Sequence, residues 1–169
     1  MSSYFIIKIK EKGKSVNNQQ MPTILWFSTT IARELKTEIS SLKYSDSFEL
    51  KEEEALDEYS FKNEETAIRY NVLDENTLND IISYLKEELK KYEDSEKEVL
   101  LRNEKYYELA AKAENREVCK LFLEMVENDC CFKEEIDSFK SILDKFEFLK
   151  YNFLEDSDNK DFELVYTLD

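Results

Sequence analysis

Short apolar runs alternate with polar connections over the first 45 residues, a pattern typical of strands with a helix among them. The runs YFIIKIK (4–10) and PTILWF (22–27) are rich in β-branched and aromatic residues, and proline suits the first position of a strand. Trp26 in the second run is expected in the core. After the hydroxyls of residues 28–30, apolar side chains recur at spacings of four, four and three, which predicts a helix. The apolar positions of that helix are Ile31, Leu35, Ile39 and Leu42.

Two more strand candidates, SFELK (47–51) and TAIRYNV (66–72), enclose an acidic stretch. The second alternates along its length, which predicts a half-buried strand. The acidic stretch, KEEEALDEYSFKNEE (51–65), holds seven carboxylates against two lysines. Apolar and aromatic side chains within it indicate a segment held against the domain. In 66–72, the alternation places Ile68, Tyr70 and Val72 on one face of the strand. The apolar and aromatic side chains of the acidic stretch are Leu56, Tyr59 and Phe61.

Residues 74–153 show the longer apolar period of helices. Asp74 is a good N-cap for a first helix. The sequence Ser95-Glu96-Lys97-Glu98 matches a capping box, so a second helix is expected to begin there and to continue, with interruptions, to Val126. A last amphipathic helix carries phenylalanines at heptad spacing, which are expected in the core, and a partner helix docking on them is the alternative. Those phenylalanines are Phe139, Phe146 and Phe153.

The run FELVYTL (162–168) is a terminal strand that needs a partner, and the N-terminal half holds the only other strand candidates. The sequence therefore predicts one α+β domain over residues 1–169. Its sheet part, small and mainly antiparallel, comprises 1–73 and 161–169. A helical bundle or hairpin of about 74–153 packs with that sheet.

Composition excludes several kinds of site. One glycine in 169 residues rules out glycine-rich phosphate loops, and the absence of histidine removes the commonest general base and zinc ligand. The three cysteines lack a zinc-binding spacing and are expected as free thiols in a reducing cytoplasm. The apolar run near the first residue is too short for a leader peptide, so we expect none, and no apolar run approaches about 20 residues. The cysteines are Cys119, Cys130 and Cys131.

Two partial motifs suggest metal chemistry, and both fail. The triplet Glu49-Leu50-Lys51 has the ExK shape of a nuclease family that holds Mg²⁺ and needs an Asp on a neighbouring strand, but the only Asp before it is Asp46, three residues away. The stretch 155–161 resembles a calcium loop, but Asp161 stands where glycine is needed and Thr167 where glutamate is needed. We therefore expect no metal, no cofactor and no catalytic residue.

Charge is unevenly distributed along the chain. Residues 1–45 carry a net +4 and residues 46–169 a net −19, of the total −15. Within the acidic part, 46–65 carries −7 and 152–169 carries −5. Nucleic acids and anionic membranes attract basic surfaces, so direct binding to either is not expected. A partner that responds to this charge should be a basic protein.

The two acid-rich stretches are therefore the candidate partner-binding surface. Acidic side chains about 5–6 Å apart on a helix or hairpin imitate the phosphate spacing of a nucleic acid. We expect a non-enzymatic inhibitor that fills the basic groove of a nucleic-acid-binding effector or a toxin. Small acidic proteins of this class include phage anti-defence factors, anti-CRISPR proteins among them, and immunity proteins. The alternative is an adaptor, chaperone or structural protein that binds through an apolar helical face, with acidity serving solubility. The candidate residues are Glu52, Glu53, Glu54, Asp57, Glu58, Glu64, Glu65, Glu155, Asp156, Asp158 and Asp161.

Overall fold

Two antiparallel sheets and four α-helices make up the described part of the chain, which confirms the α+β prediction. The computed structural model describes residues 4–13, 21–28, 30–49, 59–63, 66–126, 132–155 and 161–169. In chain order the elements are β1 (Tyr4–Glu11), β2 (Thr23–Ser28), α1 (Thr30–Glu38), β3 (Ser47–Glu49), β4 (Ser60–Asn63), β5 (Thr66–Arg69), β6 (Asn71–Val72), α2 (Glu75–Lys112), α3 (Arg116–Glu124), α4 (Lys133–Leu149) with a π-helical extension (Lys150–Glu155), and β7 (Phe162–Leu168).

The chain divides into two compact units. Unit 1 contains Met1–Tyr84 and Asp144–Asp169, and unit 2 contains Leu85–Leu143. Both sheets belong to unit 1. Helices α2 and α4 contribute residues to each unit. The organisation of 1–169 as a single domain stays a prediction.

The larger sheet of unit 1 has the strand order β2-β1-β7-β6, and every neighbouring pair is antiparallel. The C-terminal strand therefore returns to the N-terminal sheet, as predicted. One face of β1 builds the core. Phe5 stacks on Phe27 at 5.4 Å and on Tyr166 at 5.5 Å, and Phe146 from α4 meets its ring edge-on at 6.0 Å. The single glycine, Gly13, follows β1 with φ of 73°, a conformation that favours glycine.

The smaller sheet has the order β3-β5-β4. Its middle strand leads into β6 through Tyr70, so TAIRYNV is divided between two sheets rather than forming one strand. The predicted burial pattern was accordingly wrong in part, since Ala67 is buried and Val72 is exposed. Tyr70 packs with Met21 and Val165 on the face of the larger sheet opposite Phe5, and Ile68 lies against this cluster.

Two further predictions about the elements were wrong. Trp26 is 56% exposed rather than buried, because it lies on the end strand of the larger sheet and on the face opposite the Phe5 core. Helix α2 runs through Ser95 without a break for 38 residues. No glycine or proline occurs between residues 75 and 112, so nothing in the backbone forces the helix to end at the capping-box match.

The N-cap of α2 yields a direct test of local structure. The Thr77 N–H donates a hydrogen bond to Asp74 Oδ1 at 2.7 Å. We expect Asp74→Ala to lower the free energy of unfolding by about 1 kcal/mol in urea titrations, because an N-terminal amide loses its acceptor. The control is Asp80→Ala, which removes an exposed carboxylate from the same helix. Equal losses for the two variants would contradict the capping role.

Unit 2 has its own aromatic cluster. Tyr92 of α2 lies 5.6 Å from Phe132 and 5.4 Å from Phe139, measured between ring centroids. The Lys140 ammonium lies 3.6 Å from the Glu93 carboxylate. Helix α3 has Asn115 as its N-cap, whose side-chain oxygen accepts from the N–H of Glu117 at 2.8 Å, yet α3 buries none of its residues. Its apolar side chains are therefore largely exposed.

Candidate protein-binding surfaces

Most of the predicted acidic surface lies outside the described residues. Asp161 is described and exposed, and its carbonyl oxygen accepts from the Lys12 N–H at 2.9 Å. Glu155 is the last residue of the π-helical extension and is described by its backbone alone. The remaining nine candidates, all outside the described residues, are Glu52, Glu53, Glu54, Asp57, Glu58, Glu64, Glu65, Asp156 and Asp158.

The smaller sheet fixes where the chain enters and leaves these acidic stretches. Glu49, the last residue of β3, and Asn63, the last residue of β4, both pair with Thr66 of β5. They lie in one row of the sheet, roughly 10 Å apart because two strand spacings separate them. The chain therefore departs towards Glu52–Glu54 and towards Glu64–Glu65 from the same end of the sheet.

The other end of the 50–58 stretch is held by a buried lysine. Lys10 on β1 is 2% exposed, and its Nζ donates to Glu163 Oε1 at 3.0 Å. The same Nζ lies 5.6 Å from the ring centre of Tyr59 and 5.5 Å from that of Tyr70. Because the Tyr70 N–H also donates to the Tyr59 carbonyl at 2.9 Å, Tyr59 is fixed by its side chain and its backbone.

Lys10 also lies beside the second acidic stretch. Lys10 pairs with Glu163 across β1 and β7, and Glu11 pairs with Phe162 in the next row. One residue further on, the Lys12 N–H donates to the Asp161 carbonyl. Glu58 precedes Tyr59 in the chain. Tyr59, which follows the 50–58 stretch, thus lies at Lys10, and Asp161, which ends the 156–161 stretch, lies two rows further along the sheet at Lys12.

Lys10 carries a positive charge in this setting. Burial alone would lower the pKa of its ammonium, but the hydrogen bond to Glu163 and the nearby Tyr70 outweigh burial and raise the pKa above 10.5. On the same strand, burial lowers the pKa of Lys8. A protonated lysine is a poor nucleophile, so the arrangement suits an internal counter-charge rather than a reacting group.

A second surface lies on α3 in unit 2. Val118, Leu121 and Met125 follow one another at spacings of three and four and are 41%, 52% and 47% exposed. We call these three residues the α3 stripe. A shallow, open hollow runs along its side, where Glu117 and Glu124 flank Leu121. The stripe is therefore an apolar helical face with a charged border.

We also searched the described part of the chain for metal sites, reactive cysteines and membrane-spanning helices. Across the described ranges, no three His, Cys, Asp or Glu side chains lie close enough to hold a metal ion. The Cys119 thiol is free and half-buried, and Cys130 and Cys131 lie outside the described residues. Among the described helices, none combines the length and the apolar character that a membrane span requires.

The sequence prediction missed both Lys10 and the α3 stripe. A lysine between apolar residues in a strand normally marks a solvent-facing position, and its partner Glu163 is 153 residues away in sequence. The α3 stripe has the spacing of a buried face, so its exposure follows from tertiary structure alone.

No family model, curated protein or solved structure matches this chain. Its function is therefore inferred from these surfaces.

Proposed function

We propose that this protein is a non-enzymatic inhibitor that occupies a basic surface of a target protein, such as the groove of a nucleic-acid-binding effector or a toxin. The observation that carries the proposal is the attachment of the acidic stretches to fixed points of the sheets. Glu49 and Asn63 share one row of the smaller sheet, Tyr59 lies at Lys10, and the Asp161 carbonyl accepts from the Lys12 N–H two rows away. A binding surface with fixed ends loses less conformational entropy on association than a free tail does.

The charge balance supports the same proposal. Residues 46–65 carry a net charge of −7 and residues 152–169 a net charge of −5, out of −15 for the whole chain. The acids of these two stretches have few lysines among them along the chain. Carboxylates not interleaved with bases present an unbalanced negative field, which steers a basic partner and accelerates its association.

The proposal is tested by the salt dependence of partner binding. The full chain is immobilised and used to capture proteins from an extract of the source organism. The dissociation constant of each captured protein is then measured at roughly 50 to 300 mM salt, a range over which salt increasingly screens surface charges. A basic partner whose dissociation constant rises about tenfold or more over this range supports the proposal. An affinity that does not change with salt contradicts it.

The α3 stripe favours a second candidate, an adaptor that binds through an apolar helical face. We expect the double variant Leu121→Lys and Met125→Lys to abolish binding of such a partner while changing the free energy of unfolding by less than about 1 kcal/mol, since both side chains are exposed. Leu101→Lys, at an exposed position of α2, is the control. Isothermal titration calorimetry distinguishes the candidates, because binding at the α3 stripe should vary little with salt. Unchanged affinity in the double variant would rule out the stripe.

A further inference from the structure

Strand β2 is an end strand of the larger sheet in the described part of the chain. Its sequence, TILWFS, carries no charge, and among the described residues β1 is the only strand that pairs with it. Edge strands in monomeric proteins usually carry lysine, proline or a bulge that discourages pairing with another chain. The pairing of β2 with β1 is irregular opposite Ile7 and Lys8, but Leu25 to Ser28 follow a regular register. Four residues of β2 are therefore a straight, uncharged edge.

An aromatic pair marks the open face of this edge. Trp26 is 56% exposed, and its ring stacks on Tyr4, 38% exposed, with centroids 6.1 Å apart and planes at 28°. Trp26 lies opposite Ile6 in the sheet, on the face away from Phe27. Tryptophan and tyrosine are the side chains most enriched at energetically dominant contacts between proteins. The β2 edge and the Trp26–Tyr4 pair together form a surface suited to pairing with a strand of another chain, with one aromatic contact beside the backbone hydrogen bonds.

We propose that two copies of this chain pair antiparallel through β2, about a two-fold axis perpendicular to the sheet. Because residues opposite each other across strands share a face, Trp26 can lie opposite Trp26 of the second copy. The core-facing Leu25 then lies opposite Phe27 of the second copy. The two four-stranded sheets become one sheet of eight strands.

If two copies associate, charge repulsion between them is expected to be smaller at the β2 edge than at the acidic parts of the surface. A net charge of −15 opposes self-association wherever acidic surfaces would meet. Residues 1–45 carry a net +4, and β2 contributes no charge to them. Pairing through β2 therefore joins the least acidic parts of the two copies.

The opposite edge of the sheet limits the assembly to two copies. That edge is β6, which has two residues, Asn71 and Val72, and offers too little backbone for another chain to extend the sheet. Pairing of β2 with itself uses the same surface on both copies and closes on itself.

The proposal is tested by sedimentation equilibrium of the full chain at about 1–200 µM, the range in which weak dimers form. We expect a reversible dimer for the wild type. We expect Trp26→Lys to raise the dimer dissociation constant at least about tenfold, because it removes the aromatic contact and sets like charges opposite each other. Phe148→Lys replaces an aromatic side chain of the same unit that is 57% exposed, and it should dimerise as the wild type does.

Fluorescence provides an independent readout, because Trp26 is the only tryptophan in the chain. Its emission should shift to shorter wavelength as the concentration rises, with the midpoint found by sedimentation. A wild type that stays monomeric to 200 µM would overturn the proposal and leave the edge to an extended segment of another protein. So would a dimer that Trp26→Lys leaves intact, or one that forms without a shift in emission. None of these outcomes bears on the acidic stretches, which β2 does not contain.

Discussion

Replacing Lys10 with methionine is expected to lower the free energy of unfolding by about 2–4 kcal/mol. The change removes the cation that bonds Glu163 at 3.0 Å and leaves that carboxylate, with 17% of its side chain exposed, beside an apolar group. The two tyrosine rings that face the ammonium also lose a favourable electrostatic contact. Urea unfolding followed by circular dichroism measures the loss.

A second variant separates the ion pair from the general effect of altering a buried strand. The double variant Lys10→Met with Glu163→Met should recover most of the lost stability, since no unpaired carboxylate remains. A double variant as unstable as Lys10→Met alone would contradict an ion-pair origin.

The stability difference between wild type and Lys10→Met should also depend on pH in a defined direction. Burial lowers the pKa of Lys10 in the folded protein, but the hydrogen bond to Glu163 and the nearby Tyr70 raise it by more, so the folded state holds this proton to higher pH than the unfolded chain does. The contribution of Lys10 is therefore complete below pH 10.5 and is lost as the pH rises through the folded-state pKa. Unfolding measured from pH 8 to pH 12, roughly the window of lysine titration, checks this. A difference that shrinks well below pH 10 would contradict it.

Reversing the charge of three candidate acids, Glu52→Lys, Glu53→Lys and Glu54→Lys, is expected to weaken binding of the target by about 100-fold or more. Like charges brought together at a desolvated interface cost several kcal/mol, and 100-fold corresponds to about 2.7 kcal/mol. Each substitution exchanges one long charged side chain for another, so we expect the free energy of unfolding to change little and the fold to persist. Association rate and affinity are both measured by surface plasmon resonance with the captured target.

The control for this variant changes the net charge by the same amount at another place. Glu87, Asp94 and Glu98 are exposed acids of α2 interleaved with lysines, and their replacement by lysine makes the same six-unit change in charge. If only total charge matters, the two triple variants weaken binding equally. If the 50–58 stretch forms the contact, the α2 variant retains an affinity within about tenfold of the wild type.

Periodicity was sufficient to predict much of the fold. Alternation in 4–10 and the terminal run 162–168 located β1 and β7, and the need of a terminal strand for a partner predicted that β7 returns to the N-terminal sheet, without saying which strand it pairs with. Regular spacing of apolar residues likewise located α1 and α4, with Phe139 and Phe146 buried as predicted. The positions of these elements are local in sequence, so the sequence pattern carries them.

Features that depend on distant residues were not predictable in the same way. The run 66–72 is divided at Tyr70 because its two parts pair with different strands. The first part, β5, lies between β3 and β4, whereas the second part, β6, pairs with β7. The exposure of Trp26 depends on the position of β2 at the end of the sheet. Of the candidate site, the acidic composition was visible in the sequence, whereas its attachment beside Lys10 depends on Glu163 at the far end of the chain.

The dissociation constant of the captured basic target for three proteins, measured side by side, tests the central claim most directly. The proteins are the wild type, the Glu52–Glu54 reversal and the α2 reversal, each at the same low salt concentration. The inhibitor proposal predicts a loss of about 100-fold for the first variant and less than about tenfold for the second. Equal affinity of the wild type and the Glu52–Glu54 variant would contradict it.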